Sequence, residues 1–231
     1  MPDGNLKGTI FRYHNHENTV LRKLRLTIKN VGYADAPDAE DLIAFIDLIT
    51  KSSSDEPSHN GNRKMVDLHR LVQEGYYSKN AGGSISLKYI LPAILHDAPS
   101  TAGLYSKSNV YGVNKKICSL NFNAPDGHVW LDPRKANDPY KTLPPILNSD
   151  HGKINEMLMR LAGDDAEEDG SINQGGLAMT AYNYTQFLCL GSEDRKLIEA
   201  ALLRYCELDT LAMVMLVQGL MELRGKPLTL A

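Results

Sequence analysis

The sequence is poor in cysteine and has no long apolar run. Its 231 residues include three widely spaced cysteines, Cys118, Cys189 and Cys206, and no C-x-x-C pair. This argues against a disulfide framework or a structural zinc site and fits a reducing cytoplasm. The longest apolar run, 211–217, is far shorter than the ~20 residues that span a bilayer, and the N-terminus has no signal-peptide pattern. We therefore expect a cytoplasmic protein without a membrane partner.

The sequence also has no excess of basic residues. Lys and Arg number 25 against 28 Asp and Glu, which gives a formal net charge of −3. Contact with nucleic acid would therefore need a local basic patch or phosphates bridged by metal ions. Arg22, Lys23 and Arg25 on the first predicted helix are the candidates for such a patch, although a cluster of this kind is more often a solvated face.

Hydrophobic periodicity predicts an α/β chain with few strands. Strands are predicted at 8–13 and 64–68. The predicted helices cover 17–31, a segment from a cap at Asp35 to Ile49, 69–77, 84–91 with Pro92 kinking or ending it, 154–161, 176–190 and 192–225. Two strands are too few for a doubly wound sheet, so we expect that the missing part lies before residue 1.

Residues 97–150 lose the periodic pattern. Prolines, asparagines, aspartates and glycines are scattered there between short apolar pieces. Because so long a stretch without elements is unusual in a compact domain, we interpret it as an irregular insertion. The whole chain, 1–231, is then predicted to be a single partial domain that contains this insertion.

The last predicted helix carries the most informative residues. Ser192 marks its start, and Gly225 followed by Pro227 marks its end. The apolar positions with helical spacing are Ile198, Ala201, Leu202, Tyr205, Leu208, Ala212, Met215, Leu216 and Gly219. Asp209 falls in this stripe, four residues after Tyr205, so hydroxyl and carboxylate share a face. A carboxylate there needs a hydrogen bond, an ion pair or a metal, although a lone Asp at the edge of a stripe more often reaches solvent or an arginine.

A second polar cluster follows the first predicted strand. His14, Asn15, His16 and Glu17 stand where strand meets helix, and the carboxyl ends of strands are where open α/β sheets place ligands. Two histidines and a glutamate could bind zinc, but no partner cluster accompanies them. The HNH letters lack the wide spacing of the nuclease motif of that name, and Cys206, inside a helix without an obvious base, is expected to be a packing residue.

Several blocks resemble the proofreading-exonuclease superfamily, the RNase H-like folds named DEDD after their four acids. Its second motif, a strand, an acid at a helix start and a Leu four residues on, is matched by Glu17 with Leu21. Its third motif in one subclass, DEDDy, is Tyr-x-x-x-Asp on a helix, matched by Tyr205 and Asp209. A strand ending in Asp, at 65–68, and a Ser-x-x-Leu helix, at 84–87, resemble the blocks between them.

The chain is more closely similar to a bacterial family catalogued as a domain of unknown function. The segments that carry this resemblance are 65–95, GGLAMTAY at 175–182 and RYCELDTLAMVML at 204–216. They occur in the order found in that family, and the resemblance covers most of the chain from residue 8 to about 220. It implies an α/β RNase H-like mixed sheet with flanking helices.

The resemblance also implies phosphodiester hydrolysis by two Mg²⁺ or Mn²⁺ ions at a single-stranded end of DNA or RNA. Asp209 would be a metal ligand, Glu17 a ligand directly or through water, and Tyr205 would orient the attacking water. We therefore expect Glu17 and Asp209 to lie close together at one edge of a small sheet. Asp67 and His16 would lie nearby as supporting residues rather than ligands.

The sequence departs from the superfamily in its first motif. An Asp-x-Glu strand should precede residue 8, and it is absent, while His16 stands where an aromatic residue is usual and Glu17 replaces the commoner Asp. Two hypotheses follow. The chain is either the rear part of an N-terminally truncated 3′–5′ exonuclease-like domain, expected to be inactive alone and completed by an upstream segment, or a non-catalytic remnant or interaction module on the same scaffold.

Overall fold

The structure is a computed structural model that describes residues 8–30, 37–52, 59–132, 138–144, 175–187 and 190–226. Its contacts divide the chain into two compact units. The first takes in Met1–Tyr77 and Ile85–Leu87, and the second Ser78–Ser84 and Lys88–Ala231. The prediction of one partial domain over 1–231 stays a prediction, and the helix predicted at 154–161 lies outside the described residues.

The first unit is built on a pair of parallel strands. β1 (Phe11–Arg12) pairs with β2 (Val66–Asp67), with Phe11 opposite Val66. Both strands fall where apolar segments predicted them, although each has only two residues. Each is followed by a helix, α1 (His16–Asn30) after β1 and α3 (Leu68–Gly75) directly after β2. The parallel pairing therefore places the residues after both strands at one edge.

Helix α2 (Ala39–Ile49) packs on α1. Ile28, Ala39 and Ile46 form the buried part of their contact, with Leu21 and Ile43 against it. Asp38 stands at the N-terminal cap position of α2 without a side-chain capping bond. The predicted cap, Asp35, lies outside the described residues, and Pro37 lies two residues before the helix.

The second unit is mostly helical. Its α-helices are α4 (Leu87–Asp97), which begins at the end of the first unit, α5 (Pro99–Tyr105), α6 (Gly175–Phe187) and α7 (Ser192–Leu223). The 3₁₀ turns are Lys79–Ala81 and Pro139–Thr142. Pro92 lies inside α4, so the expectation of a helix covering 84–91 was wrong at both ends, and the proline does not terminate it.

Residues 97–150 are less irregular than their sequence predicts. Besides α5 they contain the parallel pair β3 (Tyr111–Gly112) and β4 (Ile117–Cys118). Tyr111 also forms an antiparallel bridge with His128. Trp130, fully buried, packs its ring against Tyr111, Phe122 and His128, with ring centroids 4.3–5.2 Å apart. The described part of this region is therefore held by an aromatic core rather than by long helices or strands, whose periodicity would have been visible in the sequence.

Helix α7 is the longest described element, and it packs against α5 and α6. Eight of the nine predicted stripe positions are buried, Leu202 being half-buried, and Leu211 and Gln218 are buried as well. Gly219 allows α4 to approach closely, because a Cβ added there would lie 2.5 Å from Cγ1 of Ile94. The helical period of the sequence therefore located the core face of this helix correctly.

The described residues form a mixed α/β structure with seven α-helices and two short parallel strand pairs. This agrees with the predicted α/β class, while an RNase H-like sheet stays a prediction. None of the helices in the described ranges is long and apolar enough to cross a membrane.

Candidate functional site

The carboxyl ends of β1 and β2 are held together by an ion pair. Arg12, a buried residue, contacts the Asp67 carboxylate at 2.9 Å, and its guanidinium also donates to the His14 carbonyl and to Oδ1 of Asn15 at 3.0 Å. The backbone N–H of His14 donates to Asp67 at 3.0 Å, and His14 itself adopts a left-handed φ of 65°. Asp67 therefore fixes the turn between β1 and α1, while its predicted place beside a metal site stays a prediction.

Glu17 lies in the first turn of α1, immediately beyond this edge. Its Oε1 accepts a long hydrogen bond from the backbone N–H of Tyr13, at 3.4 Å. Its Oε2 is buried and has no hydrogen-bond partner within the part of the chain that the structure describes. Burying a carboxylate oxygen without a hydrogen-bond donor costs free energy, and a bound cation or a hydrogen-bond donor would offset that cost. His16, the other supporting candidate, is exposed at the first residue of α1.

The rings of Tyr13, His14 and His69 pack against one another at the same edge. His69 on α3 makes edge-on contacts with Tyr13 and His14, with ring centroids 5.4 and 4.7 Å apart. The Tyr13 hydroxyl donates to the carbonyl of Ile85 at 2.5 Å. Burial, followed by the charge of Asp67, raises the pKa of Tyr13 to about 12. His14 and His69 are thus packing partners here.

Asp209 lies on α7 in the second unit and accepts hydrogen bonds from tyrosine. The Tyr140 hydroxyl donates to its Oδ1 at 2.7 Å, and Tyr205, one helical turn earlier, also hydrogen-bonds to it. Both tyrosines are buried, and their rings are 6.3 Å apart. Burial, and then the Asp209 charge and hydrogen bond, raise the pKa of each tyrosine far above its usual value. Both hydroxyls therefore remain protonated donors at neutral pH.

Tyr140 is the member of this site that sequence reasoning missed. It lies in the 3₁₀ turn Pro139–Thr142, where the Asp138 side chain accepts from the N–H of Tyr140 at 3.0 Å. The Asp-Pro-Tyr sequence is a good signal for such a capped turn. It gave no indication of a partner 69 positions away, because that contact depends on how the segment packs.

The three predicted basic contacts with nucleic acid lie on α1. Arg22 and Arg25 both pair with Asp47 of α2, at 2.9 and 2.6 Å, and Lys23 is exposed. Burial opposes ionisation of Asp47, but hydrogen bonding and charge from Arg25, together with the charges of His59 and Arg22, outweigh it and lower its pKa. The two arginines therefore help to join α1 to α2.

The donor set for a divalent cation is only partly present. The orphaned oxygen of Glu17 fits a hard cation, which prefers oxygen ligands. No group of three or more His, Cys, Asp and Glu side chains is arranged to hold an ion within the described ranges. Glu17 and Asp209 belong to different units, so their predicted approach to a shared ion stays a prediction.

Comparison with family models, with curated proteins and with solved structures finds no match for this chain.

Proposed function

We propose that the chain is a metal-dependent 3′–5′ exonuclease-like domain of the DEDDy type that supplies two acids of the site, Glu17 and Asp209. Its substrate would be a single-stranded end of DNA or RNA. The observation that carries the proposal is the buried Oε2 of Glu17, which follows the end of strand β1 and has no hydrogen-bond partner among the described residues. The resemblance of the ordered sequence blocks to that superfamily supports it independently.

Each of these residues has a defined part in the proposed reaction. Glu17 and Asp209 would hold Mg²⁺ or Mn²⁺, which when bound activates water and stabilises the leaving oxygen. Tyr205 keeps its proton at neutral pH because its pKa is raised by burial and by Asp209. Its protonated hydroxyl would orient the attacking water.

The proposal also accounts for an expected lack of turnover by the chain alone. Residues 1–10 contain no Asp-x-Glu, so they do not supply the carboxylates that would bridge both ions in the superfamily. A further segment that carries this motif is the partner the proposal requires.

The test compares the chain alone with a fusion that adds a strand ending in Asp-x-Glu. Nucleotide release from single-stranded DNA and RNA is measured with Mg²⁺ and with Mn²⁺. We expect negligible release by the chain and metal-dependent release by the fusion. In the fusion, Asp209→Ala should abolish release, Glu17→Gln should reduce it severely, and Tyr205→Phe should reduce it about 10²- to 10⁴-fold.

The control is Glu199→Gln, which changes an exposed carboxylate on the same helix as Asp209. It should leave release unchanged. A folded fusion that is inactive with both metals on both nucleic acids would overturn the proposal, as would full activity after Asp209→Ala.

The second candidate is a non-catalytic remnant or interaction module on the same scaffold. The specific observation in its favour is that several candidate residues already have protein partners. Asp209 accepts from Tyr140, Asp67 pairs with Arg12, and Arg22 and Arg25 pair with Asp47. An inactive fusion that keeps a cooperative unfolding transition would favour this candidate.

A further inference from the structure

Two tyrosines contact the Asp209 carboxylate, and the two reach it in different ways. Tyr205 belongs to the same helix and faces Asp209 because of helical spacing alone. Tyr140 comes from the segment 138–144, far away in sequence, and donates to Oδ1 at 2.7 Å. Its contact therefore depends on the fold of the second unit, and the helix by itself does not provide it.

The surroundings of Tyr140 hold its hydroxyl in place. Only 4% of the residue is exposed, and it lies between a proline at the start of the 3₁₀ turn and the buried Leu143. The Asp138 side chain caps the turn, and the Thr142 hydroxyl donates to the carbonyl of Pro139 at 2.7 Å. The Lys88 ammonium lies 5.6 Å from the ring centre. A ring fixed on several sides can direct its hydroxyl with little freedom.

We infer that Tyr140 is a positioning residue for Asp209, fixing the orientation of the carboxylate through the hydrogen bond to Oδ1. A carboxylate on an aspartate side chain rotates about its last bond unless its oxygens are held. A hydrogen-bond donor to a metal-binding carboxylate both orients it and tunes its affinity for the ion. The inference rests on the proposed function in one respect: it assigns Asp209 a cation to bind. The hydrogen bond itself is independent of that function.

The chain offers a matched control in Tyr105. This tyrosine is also buried in the second unit, and its hydroxyl donates at 2.7 Å to Oε1 of Gln218, a neutral acceptor on the same helix as Asp209. Tyr105→Phe thus removes a buried hydroxyl and one hydrogen bond of the same length to α7. It leaves the Asp209 carboxylate unchanged.

The first measurement asks whether the pair exists. Unfolding constants in urea are compared for the full chain, Tyr140→Phe, Asp209→Ala and the double variant, since such a cycle isolates the pairwise interaction. We expect a coupling of about tenfold in the unfolding constant for this pair, as for a hydrogen bond to a charged group. The cycle of Tyr105→Phe with Asp209→Ala should show none. A slowly exchanging hydroxyl proton should also disappear from the NMR spectrum in both Tyr140→Phe and Asp209→Ala.

The second measurement asks what the pair does. Mn²⁺ binding to the full chain is followed by water-proton relaxation, with Mn²⁺ as the only added ligand. Tyr140→Phe should weaken the affinity about 10- to 100-fold, as expected when an outer partner of a ligand is lost. Asp209→Ala should weaken it at least as much, and Tyr105→Phe should leave it unchanged.

The outcomes separate the inference from the proposed function. If Mn²⁺ binds and Asp209→Ala weakens it while Tyr140→Phe and Tyr105→Phe behave alike, the inference is overturned and the proposed function stands. If Asp209→Ala does not affect Mn²⁺ binding, the proposed function loses this ligand. If the chain alone takes up no Mn²⁺, as the lack of the Asp-x-Glu carboxylates allows, the same comparison is made in the fusion. In either case the coupling decides the inference. A coupling no larger than that of Tyr105 would then overturn it.

Discussion

The two units hold their carboxylates by different chemistry. In the first unit, Asp67 pairs with Arg12, and Asp47 pairs with Arg22 and Arg25. In the second unit, three carboxylates of α7 accept mainly from neutral donors. Glu207 accepts from Tyr111, Ser119 and Asn121, Asp209 from Tyr140, and Glu222 from Ser100 and Thr101.

This difference determines where negative charge remains. An ion pair neutralises the carboxylate that it holds, whereas hydroxyl and amide donors stabilise the ionised form and leave its charge in place. Partly buried charge of this kind raises the pKa of nearby tyrosines, as burial and Glu207 do for Tyr111. Among the described residues, arginine therefore neutralises Asp47 and Asp67 in the first unit, whereas neutral donors hold Glu207 and Glu222 in the second.

The largest expected loss of stability comes from removing Glu207, the carboxylate that accepts from three neutral side chains. Glu207→Leu leaves the donors of Tyr111, Ser119 and Asn121 without their acceptor, and Tyr111 and Ser119 are buried. Unsatisfied buried donors cost about 1–3 kcal/mol each, so we expect a loss of about 3–5 kcal/mol in the free energy of unfolding. Urea denaturation measures it. Glu199→Leu, an exposed change on the same helix, should cost less than about 0.5 kcal/mol.

Breaking the buried ion pair of Arg12 and Asp67 in the first unit should give the next largest loss of stability. Arg12→Met leaves Asp67, with 21% of its side chain exposed, without a counter-charge and removes the donor to Asn15. Breaking such a pair from one side should cost about 3 kcal/mol. Arg70→Met is the control, since the Arg70 and Glu74 side chains are 73% and 58% exposed and solvent screens their pair, so its loss should be much smaller. Equal losses in the two variants would contradict the distinction.

The contribution of Glu222 to the free energy of unfolding should depend on pH but only weakly on salt. Burial opposes ionisation of Glu222, but hydrogen bonds from the Ser100 and Thr101 backbone amides and the Thr101 hydroxyl outweigh it and lower its pKa. The stabilisation is therefore present above the ordinary value of 4.5 and is lost as pH falls through the lower folded-state pKa. Glu222→Gln should cost about 1 kcal/mol at pH 7 and much less at pH 3, and the cost at pH 7 should persist in 0.5 M salt.

Replacing Asp47 should cause the smallest loss of stability, and added salt should make that loss smaller. The Asp47 pKa is also lowered, against the effect of burial, by Arg25, His59 and Arg22. Asp47→Asn should cost somewhat under 1 kcal/mol at pH 7, because the pairs are partly exposed, and raised ionic strength screens them. The cost should also fall as pH drops below the ordinary value of 3.8. A cost that resists both salt and acid would mean that the arginines act through packing alone.

The sequence predicted the parts of the fold that depend on local pattern. The core face of α7 follows from a helical period sustained over many turns, and the same period places Tyr205 above Asp209. The edge at Glu17 follows from a short apolar strand and the helix after it. These are contacts between residues close in sequence or elements with clear periodicity.

The parts that it missed depend on tertiary packing. α5 has seven residues with a proline and a glycine, too few to show a period, and β3 and β4 have two residues each. The contact of Tyr140 with Asp209 joins two segments that no local rule connects. The continuation of α4 through Pro92 shows tertiary contacts overriding local propensity, since Ile90, Leu91, Ala93 and Ile94 around it are all buried.

The close approach of α4 and α7 at Gly219 restricts which substitutions are tolerated at positions 94 and 219. An alanine at 219 would place its methyl group 2.5 Å from Cγ1 of Ile94, so it becomes acceptable only after a smaller residue replaces Ile94. Gly103 in α5 has no neighbouring atom within 4 Å of an added Cβ and imposes no such condition. Among related sequences, positions 94 and 219 should therefore vary as a coupled pair, and position 103 should vary independently of its neighbours.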